Sequence, residues 1–309
     1  NMLIRYMQDE VVAIIDPEKK GLTSNDVIQI GGDIPVVGSF NDAKKYNPDH
    51  LVIGNAPQGG IVSNQMLIEI KEAIRNGINI LSGMHEFLSE DTHLKKLAEK
   101  SGSKIIDLRR PPNPPSFSKG SWQKRNIPVL LVVGTDCDTG KMTTAWEIKT
   151  RLSDLNKKVK FIGTGQTGIL LSDGIAIDAV ISDFMSGEIE NLIDTKVAND
   201  TDLIIVEGQG ALSNYAYSGV TLGLMHGCMP DYLILTHDPT RSKDVMGYKM
   251  PDIKDLMQLH IDLISPFKSS SFIGINLLTF EMGESIAKST INEFESLYKL
   301  PTTDLIRFG

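Results

Sequence analysis

The stretch IPVLLVVGTDCDTGKMTT, residues 127–144, decides the fold of the second half of this chain. Its first eight residues form a near-continuous apolar run, which is typical of a strand buried on both faces of a parallel sheet. A turn containing glycine follows, and then Ala145, Ile148, Leu152 and Leu155 share one face of a predicted helix. A strand, a turn and a helix in this order predict a loop that binds phosphate.

The loop suits an anion because backbone N–H groups and the N-terminus of a helix meet at one point. Lys141 adds a mobile positive charge, and Gly140 allows a ligand to approach the backbone closely. We predict that the whole loop contacts the phosphates of a cofactor. The predicted cofactor-binding residues of the loop are Gly134, Thr135, Asp136, Cys137, Asp138, Thr139, Gly140, Lys141, Met142, Thr143 and Thr144.

The loop departs from the usual nucleotide-hydrolysing pattern at two positions. Thr135 stands where the first glycine is expected, and Met142 follows the lysine, where Ser or Thr normally helps to hold magnesium. The form G-T-D-x-x-x-G-K resembles the loop of dethiobiotin synthetase and related amide-forming enzymes. A magnesium site would need the hydroxyl of Thr143 or Thr144, with Glu207 as the acidic residue.

Strand and helix patterns alternate on both sides of this loop. After it, we predict strands within 158–165, 202–210, 231–238 and 271–279, and a further one within 173–184. Before it, we predict strands at 11–16, 51–54, 78–83 and 104–108 and a helix at 64–77. This alternation predicts an α/β protein in which parallel sheets are flanked by helices.

A proline-rich seam divides the chain, since four prolines fall within residues 111–115. We predict a Rossmann-like N-terminal domain at 1–110, a connector at 111–124 and a phosphate-loop (P-loop) NTPase-like domain at 125–309. The first domain lacks G-x-G-x-x-G, so a dinucleotide has little support there. Its segments at 54–60 and 82–91 follow strands, and we expect them to face a common cleft with His85 as a candidate.

Composition narrows the class of protein. The net charge of −8 disfavours nucleic acid as a partner. No apolar run approaches about 20 residues and no basic-then-apolar leader opens the sequence, so we expect no membrane span and no secretion. Two cysteines, Cys137 and Cys228, fit a reducing cytoplasm better than a disulfide framework. General frequencies lead us to expect a homo-oligomer.

Several other segments carry candidate site residues. The glycine-rich segment 163–168 follows a predicted strand, and we expect its Gly165, Gln166 and Thr167 to contact the cofactor; a flexible turn is the alternative. Glu207 follows another strand and either holds a metal or its water, or simply accepts N–H groups of the next loop. Asp178 is a candidate base or polar anchor.

The segment 214–227 is too rich in Gly, Ser and Tyr to be simple core. Ser218 and Thr221 are candidates for binding a substrate carboxylate or carbonyl, and His226 for acid–base work, although a lone histidine is more often structural. Arg241 either pairs with an anion or is a solvated surface residue. Cys137 lies near a helix N-terminus, which predicts a lowered pKa, but no base for it is visible. No set of His, Cys and Asp has zinc spacing, and we assign no metal ligand.

Many sequence blocks together resemble one known family. They include NGINILSGMHEFLSED, DLRRPP, VVGTDCDTGKMTT, GTGQTGIL, VEGQGAL and YSGVTLGLMHG, in this order along nearly the whole chain. They resemble a bacterial and archaeal family that joins a Rossmann-like domain to a phosphate-loop domain. Members of that family are identified as D-glutamate N-acetyltransferases. The resemblance therefore implies transfer of an acetyl group from acetyl-CoA to the amine of D-glutamate.

An acetyl-CoA enzyme would explain Met142, because coenzyme A carries phosphates that need binding but no phosphoryl transfer. Such an enzyme needs a base for the ammonium of glutamate, and Asp178, Glu207 and His226 are the candidates. The substrate carboxylates call for cations, and the candidates are Arg109, Arg110 and Arg241. The alternatives are an ATP- and magnesium-dependent ligase or kinase, and a non-catalytic sensor of a nucleotide or CoA.

Overall fold

The computed structural model describes residues 2–54 and 62–309. Contacts between residues divide the chain into two compact units, Asn1–Arg110 and Pro111–Gly309. Most of the predicted ligand loop at 54–60 lies outside the described residues. Each unit contains parallel sheet and helices, so the predicted α/β class with two domains is confirmed.

The first unit is built around short parallel strands. One of its sheets pairs β1 with β2, and the other has the order β3-β4-β5. Its strands are β1 (Ile14–Ile15), β2 (Val36–Val37), β3 (His50–Ile53), β4 (Asn79–Ser82) and β5 (Ile105–Asp107). Its helices are α1 (Met2–Tyr6), α2 (Ser24–Ile28), α3 (Phe40–Ala43), α4 (Asn64–Arg75) and α5 (Thr92–Ser101).

Helix α4 forms much of the core of this unit. Its apolar residues recur at helical spacing, so Ile70, Ala73 and Ile74 lie on one buried face. Ser63 caps the helix by accepting a hydrogen bond from the backbone N–H of Met66, which is why the helix begins at Asn64. The helix predicted at 64–77 is therefore confirmed to within two residues.

The second unit has one continuous parallel sheet in the order β11-β10-β9-β6-β8-β7. Its strands are β6 (Val129–Gly134), β7 (Val159–Ile162), β8 (Leu203–Val206), β9 (Tyr232–His237), β10 (Ser271–Leu277) and β11 (Thr302–Thr303). Its helices are α6 (Lys141–Asp154), α7 (Gln166–Leu171), α8 (Ser182–Lys196), α9 (Ser218–Cys228), α10 (Ile253–Ile264) and α11 (Glu284–Tyr298).

Strand β6 lies in the middle of this sheet and is buried along its whole length. Leu130 and Val132 pack with Ala145 of α6 on one face. Alternate residues such as Leu131 join the larger cluster formed with α8 and α9 on the other face. Because both faces are covered, the strand is apolar at every position rather than at every second one.

One prediction about local structure was wrong, and another made a strand too long. The segment 173–184 is not a strand: Ile177–Ala179 form a 3-10 helix and α8 begins at Ser182. Its alternating apolar residues instead reach into the core from a turn-rich segment, with Ile175 and Ile177 buried. The strand predicted at 11–16 is also shorter, since β1 has two residues.

The end of the predicted connector is attached to the second unit. The carboxylate of Glu188 in α8 accepts a hydrogen bond from the backbone N–H of Ser116 at 2.6 Å. Glu190, two residues further along α8, accepts from the N–H groups of Lys119 and Ser121. Both glutamates are buried, so these bonds fix the chain that leads into β6.

Candidate active site

The candidate site lies where four parallel strands end. The phosphate loop follows β6, the segment 163–168 follows β7, Glu207 follows β8, and the segment 238–241 follows β9. These strands are neighbours in the sheet and all run in the same direction. Their carboxyl ends therefore meet at one edge, where open α/β sheets bind ligands.

The N-terminus of α6 provides the anion-binding feature of this edge. Gly140 precedes the helix with φ of 85°, a left-handed conformation that favours glycine, and no side chain caps the helix. The first N–H groups of a helix have no partner within the helix, and the helix dipole adds partial positive charge there. An anion placed at this end of α6 would accept hydrogen bonds from these N–H groups and would be attracted by the positive end of the dipole.

Lys141 lies inside the phosphate loop. Its ammonium donates a hydrogen bond to the backbone oxygen of Asp136 at 2.6 Å, and the residue is only 8% exposed. Burial lowers the pKa of Lys141, while the neighbouring Asp138 and Glu207, among others, act in the opposite direction. A phosphate in the loop would favour the charged form of this lysine.

Asp136 joins the phosphate loop to two distant segments. One carboxylate oxygen accepts from the side-chain amide of Asn214 at 3.1 Å, and the other from the backbone N–H of Val245 at 2.7 Å. The guanidinium of Arg241 lies 3.6 Å from this second oxygen. Asp136 is completely buried, so these partners take the place of water around its charge.

Arg241 is held against the loop rather than solvated. It donates to the carboxylate of Asp238 at 3.1 Å and to the backbone oxygen of Cys137 at 2.9 Å, with a longer bond to that of Asp138 at 3.4 Å. These bonds fix the guanidinium at the rim of the phosphate loop. The predicted role of Arg241 in binding a substrate anion stays a prediction.

Glu207 is a buried carboxyl group at this edge of the sheet. Its carboxylate accepts from the backbone N–H groups of Thr164 at 2.8 Å and Gly165 at 3.3 Å, and from the side chain of Gln209 at 3.3 Å. Burial raises the pKa of Glu207 to about 7, although these bonds and Lys141 act against the rise. The carboxyl group can therefore both hold and release a proton near neutral pH.

Close packing explains two glycines around Glu207. A side chain at Gly168 would place its Cβ 2.1 Å from a carboxylate oxygen of Glu207. At Gly208 the Cβ would lie 1.8 Å from the backbone oxygen of Val132. The segment 163–168 thus approaches Glu207 itself. Gln166 and Thr167 form the first turn of α7, which follows Gly165.

The hydroxyl groups considered for magnesium lie in different environments. Thr144 is buried, and its hydroxyl accepts a hydrogen bond from the amide of Asn276 at 2.9 Å. Met142 and Thr143 are half-buried in the first turn of α6. Within 2–54 and 62–309, no group of three or more His, Cys, Asp and Glu side chains is arranged to hold a metal ion.

Sequence reasoning missed a layer of polar side chains beneath the loop. The hydroxyl of Thr135 is hydrogen-bonded to Nδ1 of His237 at 2.9 Å, and the hydroxyls of Thr139 and Thr236 lie 2.8 Å apart. Burial lowers the pKa of His237 to about 4, so the imidazole is neutral at pH 7. The signal was available, since Thr236 and His237 end β9 and the site lies at strand ends.

The structure does not bring His226 to the loop. His226 lies in the last turn of α9, hydrogen-bonded to the backbone oxygen of Leu263 at 3.3 Å and packed against Phe267. These partners are at the end of α10, before β10 begins, and therefore at the opposite edge of the sheet. His226 therefore lies away from the phosphate loop, and its candidate role as a base stays a prediction.

Ser218 and Thr221 belong to the first turn of α9 rather than to an open loop. The hydroxyl of Thr221 donates to the backbone oxygen of Gln209 at 2.7 Å, and the residue is 2% exposed. This bond ties α9 to the segment after Glu207. Ser218 is half-buried, and its backbone N–H donates to the backbone oxygen of Asn214.

The remaining candidates differ in position. Asp178 is exposed but near enough to Glu207 for its charge to contribute to the raised pKa of that residue. Burial raises the pKa of the Cys137 thiol, so the predicted lowering at Cys137 was wrong. Arg109 and Arg110 belong to the first unit.

The two arginines of the first unit have local partners. A guanidinium nitrogen of Arg109 lies 3.3 Å from Nε2 of His85, and Arg109 is 7% exposed. Arg110 donates to Glu90 at 3.0 Å and stacks over the ring of Phe87. Their proposed role in binding substrate carboxylates stays a prediction.

Family models match both units of the chain. Residues 17–111 match the Rossmann-like domain of unknown function DUF1611_N, and residues 116–309 match the P-loop domain of unknown function DUF1611_C. The predicted fold class is confirmed by these matches together with the parallel sheets. Among the described residues, no helix is both long enough and apolar enough to cross a membrane.

Relatives resemble the chain over most of its length. A D-glutamate N-acetyltransferase from Pseudoalteromonas sp. is 36% identical over 88% of this chain and 82% of its own. One from Tritonibacter scottomollicae is 37% identical over 88% and 81%. A crystal structure of a DUF1611 family protein from Anabaena variabilis, at 2.30 Å resolution, covers 100% of this chain and 91% of its own with a TM-score of 0.94 and 32% identity. The resemblance inferred from the sequence blocks is confirmed.

Proposed function

This chain belongs to the DUF1611 family and is an acyltransferase, and we propose that it moves an acetyl group from acetyl-CoA to the amine of D-glutamate. The observation that carries the proposal is the position of Glu207. A buried carboxyl group with a pKa of about 7 lies at the same sheet edge as a phosphate-binding loop. One edge thus offers an anion site and a base suited to neutral pH.

The residues of the loop fit the phosphates of coenzyme A. The uncapped N-terminus of α6 supplies N–H donors, and Lys141 supplies positive charge. The buried carboxylate of Asp136 does not oppose this, because Arg241 and two N–H donors compensate it. We infer that Arg241, held by Asp238 and by the backbone of Cys137, keeps the rim of the loop in place rather than binding the carboxylates of D-glutamate.

The proton balance of the reaction gives Glu207 its role. The ammonium of D-glutamate must lose a proton before the nitrogen can attack the thioester carbonyl. The new C–N bond forms, the C–S bond breaks, and the leaving thiolate takes the second proton that the attacking nitrogen loses, which gives the free thiol of CoA. The Glu207 carboxylate accepts the ammonium proton, and its pKa of about 7 lets it release that proton afterwards.

The loop also favours a second candidate, an ATP- and magnesium-dependent ligase or kinase. Its G-T-D form and the position of Glu207 after β8 are shared features of such enzymes. Met142 argues against this candidate, because it removes the usual hydroxyl beside the lysine.

The cytoplasmic location and the homo-oligomeric state of the protein stay predictions.

Product analysis separates the two candidates. The protein is incubated with D-glutamate and either acetyl-CoA or ATP with magnesium, and free thiol and ADP are followed. We expect release of thiol that depends on D-glutamate, with N-acetyl-D-glutamate as the product. Release of ADP without release of thiol would overturn the proposal.

A binding measurement tests the loop separately. Lys141→Ala is expected to raise the Kd of CoA about 10- to 100-fold, because a hydrogen bond from a charged group to phosphate is lost. Lys149→Ala on the same helix is the matched control, since Lys149 packs over the ring of Trp146. Unchanged affinity in Lys141→Ala would show that the phosphates bind elsewhere.

A further inference from the structure

Two exposed tyrosines lie next to the phosphate loop without contributing to its anion site. The rings of Tyr215 and Tyr248 meet edge to face, with centroids 5.4 Å apart. Tyr215 is 67% exposed and Tyr248 is 60% exposed. The two rings lie side by side, so together they form an exposed aromatic patch that a ligand can cover.

Both tyrosines are positioned by the same buried carboxylate. Asn214, the residue before Tyr215, donates its amide to Asp136, and its side-chain oxygen accepts from the backbone N–H of Ala216. The side chain of Asn214 thus fixes the turn that carries Tyr215. This turn cannot move away from the phosphate loop without breaking a buried hydrogen bond.

A second turn, which carries Tyr248, is attached to Asp136 through the backbone of Val245. The backbone N–H of Val245 donates to Asp136 at 2.7 Å. Asp244 closes the turn, because its carboxylate accepts from the N–H groups of Met246 and Tyr248, and its own N–H donates to the backbone oxygen of Tyr248. The position of Tyr248 relative to the phosphate loop is therefore set by hydrogen bonds at both ends of the turn.

We propose that Tyr215 and Tyr248 form a stacking site for the purine base of the ligand whose phosphates occupy the loop. Base stacking on aromatic rings needs a rigid, accessible ring face, and the two anchored turns provide it. The occupant is an adenine nucleotide, either the nucleotide end of CoA or ADP. Asp136 is then a positioning residue that couples the phosphate site to the base site. This inference rests on the proposed phosphate-binding role of the loop.

Probes with and without the base test the stacking site. The affinities of CoA, ADP and pyrophosphate are measured by calorimetry for the whole protein and for Tyr215→Ala and Tyr248→Ala. We expect the alanine variants to raise the Kd of both CoA and ADP about 5- to 100-fold and to leave that of pyrophosphate unchanged. The phenylalanine variants keep the ring and should retain the wild-type affinity.

The matched control is Tyr232→Ala, which removes an exposed tyrosine at the other end of β9. Equal loss of affinity for pyrophosphate, or no loss for CoA and ADP, would overturn the stacking site. So would a wild-type protein that binds none of the three probes. A change in oligomeric mass in the alanine variants with unchanged affinities would instead assign the tyrosines to a contact between subunits, and would overturn the proposal.

The stacking site and the proposed acetyl transfer can fail independently of each other. If the protein binds ADP through the two tyrosines but does not bind CoA, the stacking site stands and the acetyl-CoA proposal fails. If CoA binds and thiol is released with D-glutamate while the alanine variants bind CoA normally, the reaction stands and the stacking site fails. Binding and product analysis therefore distinguish the two failures.

Discussion

Asp136 and Glu207 are both buried carboxylates at one edge of the sheet, but their surroundings differ. Asp136 has a guanidinium within 3.6 Å and two N–H donors. Glu207 accepts N–H groups from a loop and from Gln209 and lies near Lys141, and burial still raises its pKa to about 7. A buried carboxylate whose negative charge is paired, like that of Asp136, can hold segments of the chain together. A buried carboxylate whose charge is only partly compensated, like that of Glu207, can take up and release protons.

The largest expected effect follows from removing the base. Glu207→Gln keeps the shape and the hydrogen-bond acceptor but cannot take a proton. We expect kcat for acetyl transfer at pH 8 to fall about 100- to 10,000-fold, the usual contribution of general base catalysis. Steady-state assays of thiol release measure it.

The matched control for this variant is Glu188→Gln. Glu188 is also a buried glutamate that accepts a backbone N–H, but its partner is Ser116 at the start of the second unit. We expect its kcat to match that of the wild type. A fully active Glu207→Gln enzyme would remove Glu207 from the proposed mechanism and end the contrast with Asp136.

The next effect concerns the structural carboxylate. Asp136→Ala leaves the side-chain amide of Asn214 and the N–H of Val245 without their acceptor, whereas Arg241 keeps its bond to Asp238. We expect the free energy of unfolding to fall by about 2 to 4 kcal/mol, the cost of two unsatisfied buried donors. Denaturant titration measures this loss.

Asp154→Ala, at the exposed end of α6, serves as the control and should change the free energy of unfolding by less than about 0.5 kcal/mol. Equal stability of Asp136→Ala and the wild type would show that the two turns are held to the loop by other contacts.

The smallest expected effect is a gain in the free energy of unfolding, whereas Asp136→Ala lowers it. The folded protein holds the Glu207 proton up to about pH 7, whereas an unfolded chain releases it near pH 4.5. The contribution of Glu207 is therefore present at low pH and is lost as the pH rises through 7, by at most about 3 kcal/mol. Glu207→Gln should lack this loss and be more stable than the wild type at pH 8.

Urea titrations of both proteins at pH 5 and pH 8 test this sign. A Glu207→Gln variant less stable than the wild type at pH 8 would mean that the carboxylate is charged and compensated, like that of Asp136. Glu207 and Asp136 would then both be structural carboxylates.

The sequence predicted those features of the site that are local. The apolar β6, the turn and the Gly-Lys start of α6 lie within 18 residues, and each has a specific physical cause. Glu207 could be predicted as well, because the end of a buried strand places it at the ligand edge.

Contacts between distant segments could not be predicted in this way. Asn214 and Val245 reach Asp136 across 78 and 109 residues of sequence, and no local pattern marks them as its partners. His226 was a candidate base because it belongs to the polar segment 214–227, but most of that segment forms helix α9. Eight residues of helix extend about 12 Å and carry His226 away from the loop.

The pH dependence of kcat/KM for acetyl transfer tests the central claim most directly, since it reports the ionisation of the essential base in the free enzyme. With D-glutamate and acetyl-CoA, the wild type should gain activity as the pH rises through about 7, where Glu207 loses its proton. In Glu207→Gln this rise in kcat/KM near pH 7 should disappear. A rise near pH 7 that persists in the variant, or a wild-type kcat/KM that is constant between pH 6 and 8, would contradict the account.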